Sequence, residues 1–231
     1  MAGVLIGERH TEKDWGLLWT DLSIGEPEAQ TKVIDIDGRD GALDLTDFLY
    51  GDIRYKNRPI SITFVMKSDI YKWHSLKSEI ANYIQGQKRK IILDTDKGFY
   101  YLGRGACEIV KENALINGVT ISFDAEPYKY ERYGSLEPWV WDTFCFEDGI
   151  IRDYRDLEVN GTMVLMIPGW RKKVVPVFEC SESMVLEYHS ISYTLPKGKS
   201  KVMDLQLGAG EHILTFQGKG TVSVDYRGAS L

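Results

Sequence analysis

Along most of this 231-residue chain, apolar and polar positions alternate in short runs separated by glycine, proline and charged residues, which predicts strands and tight turns rather than long helices. The surest strand spans Ile60 to Met66. Ile62, Phe64 and Met66 share one face while Ser61, Thr63 and Val65 share the other, and Pro59 opens the run. Gly3 to Gly7 reads as a short opening strand. Trp15, Leu17, Leu18 and Trp19 are too clustered to alternate, so they predict an irregular or strand segment covering a core. Thr31 to Asp37 reads as a strand that ends where Gly38 and Gly41 allow positive φ. Further strands are expected at Ile91 to Asp94, Phe99 to Gly105, Ala106 to Lys111 and Gly118 to Asp124.

One segment changes period. Between Ser68 and Gln85, the residues Ile70, Trp73, Leu76, Ile80, Tyr83 and Ile84 recur at three- and four-residue steps and so form one helical stripe. Ser68 is placed to cap its start and Gly86 to close its end. The hairpin-length connections around it leave no room for parallel crossovers, so an antiparallel sheet carrying one helix is expected.

The proline, glycine and charges of the stretch from Ala125 to Ser135 break this pattern and mark a boundary. Two domains are expected, residues 1–132 and 133–231. The second reads as a β-sandwich, with strands near Trp139 to Phe146, Met163 to Ile167, Val174 to Cys180, Met184 to Tyr188, Ile191 to Leu195, Lys201 to Leu207, His212 to Phe216 and Thr221 to Tyr226. The fold class is mainly β with one α-helix.

Composition narrows the chemistry. The chain carries 34 acidic and 28 basic residues, a net charge of −6, so specific nucleic-acid binding and attraction to an anionic membrane are not expected. The runs Lys88-Arg89-Lys90 and Arg171-Lys172-Lys173 read as solvated turns. Cys107, Cys145 and Cys180 are odd in number and far apart, which implies neither a disulfide framework nor a CxxC metal pair. The apolar runs are too short for a signal peptide or a membrane span, and synthesis in a reducing cytoplasm is expected.

No motif builds a catalytic centre. His10, His74, His189 and His212 fall in separate segments without metal-ligand spacing, and no nucleophile elbow, Walker loop or GxGxxG turn is present. Glu179, Glu182 and Glu187 in the second half are available for a glycosidase carboxylate pair, and carboxylates are too common for that to mean much. An enzyme, a metal and a cofactor are not expected. Between Ile34 and Phe48 lie five aspartates and one arginine, and Asp35 to Gly41 invites a calcium reading. The register fails, because Arg39 stands where an EF-hand needs a third oxygen donor and Thr46 where it needs a glutamate. Asp37, Arg39 and Asp40 are therefore read as turn-forming or assembly residues. Their aspartates would cap backbone amides and pair with Arg39, or face an interface. Trp139, Trp141 and Trp170 are candidates for stacking on sugar rings, against packing within the domain or between subunits.

Several phrases occur in a collinear order that resembles the distal tail proteins of long-tailed phages. They are Lys32 to Gly41 with Leu43 to Thr46, Tyr55 to Arg58 before the strand at Ile60, Ile84 to Gln87, Leu93-Asp94, Tyr100 to Arg104, Ala125 to Lys129, and Gly218 to Val222 before Tyr226-Arg227. The resemblance implies a split β-barrel-like first domain related to tail-tube proteins and a galectin-like β-sandwich second domain. It also implies a homo-oligomeric, hexameric ring at the virion tail tip, made in the host bacterial cytoplasm and compatible with prophage origin. Its partners would be the tail tube protein, a tail-associated hub or lysin protein and a receptor-binding protein. The alternative is a carbohydrate-binding β-sandwich module that attaches to the host cell wall.

Overall fold

The computed structural model describes residues 3–66, 70–111, 117–137 and 154–231. It is mainly β, and the chain divides into two compact units. Unit 1 holds residues 1–96, 100–129 and Leu231, and unit 2 holds residues 97–99 and 130–230.

Unit 1 comprises β1 (Val4–Ile6), β2 (Arg9–His10), β3 (Leu18–Ile24), β4 (Ala29–Gln30), β5 (Val33–Ile34), β6 (Leu43–Asp44), α1 (Thr46–Tyr50), β7 (Arg54–Tyr55), β8 (Arg58–Met66), α2 (Ile70–Ile84), β9 (Lys88–Leu93), β10 (Phe99–Lys111) and β11 (Asn117–Ala125). Its sheet runs β2-β1-β9-β10-β11-β8-β3, and every neighbouring pair is antiparallel. The alternation expected at Ile60 to Met66 sets the register: Ile60 faces Phe123, Ile62 faces Ile121 and Phe64 faces Val119. All six are buried, each stabilising the fold by roughly 1.5–3 kcal/mol relative to exposure. Phe99 to Lys111 is one continuous strand rather than two.

Helix α2 lies on this sheet through the expected stripe, with Trp73, Ile80 and Ile84 fully buried and Leu76 and Tyr83 partly so. Gly86 ends it at φ +69°, and the amide of Gly86 donates to the carbonyl of Gly105. The missing side chain at Gly105 is what admits the helix, since a Cβ there would collide with Ile84. Ser68, the expected cap, lies outside the described residues. The lysine–arginine run at 88–90 opens β9 instead of forming a turn.

Unit 2 comprises β12 (Lys129–Glu131, beginning one residue before the unit), β13 (Leu157–Gly169), β14 (Val177–Cys180), β15 (Met184–Tyr188), β16 (Ile191–Leu195), β17 (Gly198–Lys201), β18 (Gly210–Asp225) and β19 (Ala229–Ser230). The strand expected at Trp139 to Phe146 lies outside the described residues. The two strands expected at His212 to Phe216 and Thr221 to Tyr226 are one, β18, which runs through Gly218 and Gly220. One edge of β18 pairs with β13 from Gly210 to Val222. Its other edge takes β15 at Thr215 to Gln217 and β14 at Val222 to Asp225. Between those two contacts Gly218 and Gly220 have φ +152° and +144°, and Gly161, directly opposite Gly218 on β13, has φ +88°. The glycines turn the ladder so that β15-β16 and β14-β17 form two wings over one core, which contains Phe178, Leu186, Leu195, Leu214, Phe216 and Val224.

Candidate functional site

Strands β3 and β8 are antiparallel neighbours, yet the chain between Ile24 and Arg58 does not turn directly from one to the other. It makes an excursion closed at its base by the β4–β7 ladder, by the Lys56 amide donating to the Glu28 carbonyl and by the Lys56–Glu28 ion pair at 3.0 Å. Arg58 fastens the root. Its buried guanidinium donates to the Gly25 carbonyl and to Glu26.

Beyond the base, the β5–β6 ladder pairs Val33 with Asp44 and Ile34 with Leu43, and α1 follows. Polar bonds hold this tip together. Asp44 accepts from the amide and the hydroxyl of Thr46, at 2.9 and 2.5 Å, and these two bonds hold its carboxyl below its ordinary value. The Thr46 hydroxyl accepts in turn from the Lys32 amide, and the Leu45 amide donates to the Lys32 carbonyl. Among the described residues, none from 25 to 59 belongs to the apolar core of unit 1. Val33, Ile34, Ile36, Leu49 and Ile53 are exposed, and Phe48 is 86% exposed. Residues 25–57 are an arm anchored to its own unit by the edge-on contact of Tyr55 with Tyr128, with these six apolar side chains left exposed, the pattern of a surface that a partner covers.

The strand expected over Thr31 to Asp37 is only Val33–Ile34, because the residues after it lack a partner long enough to extend the ladder. Asp37, Arg39 and Asp40 are brought together on the β5–β6 turn and are exposed. The Arg39 amide donates to the Ile36 carbonyl and Gly38 and Gly41 adopt φ +82° and +75°, so the segment is a turn. Among the described residues, no side-chain bond joins Arg39 to an aspartate. Trp170 packs edge-on against Phe99, centroids 6.0 Å apart, with Gly228 against its ring, while Trp139 and Trp141 lie outside the described residues. The exposed apolar residues of α1 had no periodic signal, because a five-residue helix is too short to show one.

Several other titratable groups have structural partners. His10 is buried, and its Nδ1 accepts from the amides of Glu12 and Lys13, which leaves Nε2–H to donate to Asp94 at 3.1 Å. His212 joins the Tyr188 hydroxyl to the Gly208 carbonyl. Glu182 and Glu179 pair with Lys197 and Lys199 on the surface. Burial pushes the Cys107 thiol up to about 11 and raises that of Cys180, so neither is an activated nucleophile. Among the described residues, no group of three or more His, Cys, Asp or Glu side chains is placed to hold a metal ion, and no helix is long and apolar enough to cross a membrane.

No protein-family model matches the chain, and no curated protein matches it either. Among solved structures it is similar to the crystal structure of the SPP1 Dit (gp 19.1) protein, described as a paradigm of the hub adsorption apparatus in phages that infect Gram-positive bacteria. The TM-score is 0.65 at 10% sequence identity, over 100% of both chains. The chain therefore has the Dit fold from end to end, at an identity where the likeness speaks for architecture alone.

Proposed function

We propose that this chain is a structural component of a phage tail tip or baseplate hub, forming a ring that joins the tail tube to tail-tip and receptor-binding proteins. The observation that carries the reading is the likeness to a tail-hub protein over 100% of both chains. The arm supports it. Its exposed apolar side chains and its polar internal scaffold suit a rigid projection that a second copy of the chain covers. Hexameric symmetry, assembly in the host cytoplasm and a place at the virion tail tip belong to the same reading.

Negative-stain microscopy and light scattering of the purified full chain test it. Closed rings are expected as subunit concentration rises into the micromolar range. A strict monomer that binds cell-wall glycan would overturn the reading in favour of the carbohydrate-binding module.

A further inference from the structure

The hub reading leaves the basic run at the start of β9 without a role. Lys88 and Lys90 share one face of that strand, and the β9–β10 register sets Arg104 opposite Lys88 and Leu102 opposite Lys90. Lys88, Lys90 and Arg104 are exposed, whereas Arg89 between them points the other way, its guanidinium 4.2 Å over the Tyr83 ring. Among the described residues, Lys88 pairs with the carboxylate of Glu126, Lys90 lies 4.8 Å over the Tyr100 ring, and Arg104 donates to the Gly86 carbonyl with Asp124 opposite it on β11. A lysine has three donors and an arginine five, so donors remain on all three. The face holds three cations against two carboxylates, Glu126 and Asp124 on its β11 side, with half-buried Tyr100 and Leu102 among the charges.

The arm has the opposite character. Residues 31–53 hold six aspartates against Lys32 and Arg39, a net of −4 within a chain of −6, and Ile34, Asp35, Ile36 and Asp37 alternate apolar with acidic. We infer that the arm of one copy seats on the Lys88–Lys90–Arg104 face of the next copy, apolar side chains against Tyr100 and Leu102 and aspartates against the three cations. The inference rests on the ring reading and adds to it the receiving surface. Two different patches of one subunit make a head-to-tail contact, and a head-to-tail contact closes into a ring when its rotation divides a full turn. Complementary charge fixes the register of such a contact and suppresses wrong pairings.

The test uses three full-length variants in light scattering and native mass spectrometry. K88E/K90E/R104E and D37K/D40K are each expected to weaken assembly roughly tenfold or more while keeping the wild-type melting temperature, since all five side chains are exposed. The combined five-residue variant, with the charges exchanged, is expected to recover assembly, a result that misfolding cannot mimic. Rings that form equally well in both partial variants would overturn this docking and leave the hub reading standing. A wild-type chain that never assembles would overturn the hub reading itself.

Discussion

Phe178 on β14 and Phe216 on β18 meet edge to face, centroids 6.0 Å apart and planes at 65°, although β14 and the Phe216 end of β18 belong to different wings of unit 2. Both rings are fully buried. Phe216→Ala is expected to destabilise unit 2 by about 3–5 kcal/mol, the cost of the lost transfer energy and the cavity left behind. Denaturant unfolding followed by circular dichroism reads it, and a loss below about 1 kcal/mol would mean that the wings do not share a core.

Helix α2 reaches the sheet only because Gly105 has no side chain. Gly105→Val is expected to unseat the helix and lower the melting temperature strongly, as the new side chain meets Ile84 and Phe123. Gly98→Ala is the control, with nothing within 4 Å of the added carbon. Equal melting temperatures for the two variants would contradict the packing described.

On the arm, stability and assembly separate. Phe48→Asp removes a side chain that contributes nothing to the fold at 86% exposure, so the melting temperature of the isolated subunit is expected to hold while ring formation falls. Unchanged assembly would show that Phe48 lies outside the subunit contact.

Calcium is expected to leave the melting temperature unchanged, because the aspartates of the β5–β6 turn lie in the wrong register for a ligand loop. A rise of several degrees with millimolar calcium, lost on chelation, would refute this.

Cys107 ties solvent pH to stability. Its thiol ionises at about 11 in the folded chain against an ordinary 9.0, so both states are neutral below the lower value and the fold gains nothing there from the shift. As pH rises between the two values only the unfolded chain ionises, and stability falls. The wild-type chain is therefore expected to lose more stability over that interval than Cys107→Ala does. A Cys107 peptide alkylated as fast in the native protein as in urea would contradict its burial.

Where side chains meet one core on a regular period, the elements were legible. Ile62 and Phe64 marked β8, and Trp73, Ile80 and Ile84 marked α2. Where geometry depends on backbone or on a partner, they were not. The β15–β16 turn uses His189 and Ser190, both at positive φ, in place of the usual asparagine–glycine. Gly218 and Gly220 read as a break between two strands because a glycine that bends a strand has the same sequence signature as one that ends it. The aspartates and Arg39 of the β5–β6 turn were legible as a turn, and the composition suggested an ion pair that is not made among the described residues. Phe48 and Leu49 carried no signal as surface residues, since their exposure has meaning only beside a second molecule.

Strand β18 also sets an order of events during synthesis. Among the described residues it supplies every ladder partner of β13 and one edge each of β14 and β15, so before it emerges the ladders that unit 2 can form from these strands are the β15–β16 hairpin and the β14–β17 pair. Leu157 and Val222 are neighbours in space and 65 positions apart in the chain. Closing that distance is slow compared with forming a hairpin. A nascent chain stalled ahead of Gly210 would thus expose β13 along its whole length, and the ribosome-bound protein would depend on chaperones until its penultimate strand arrived.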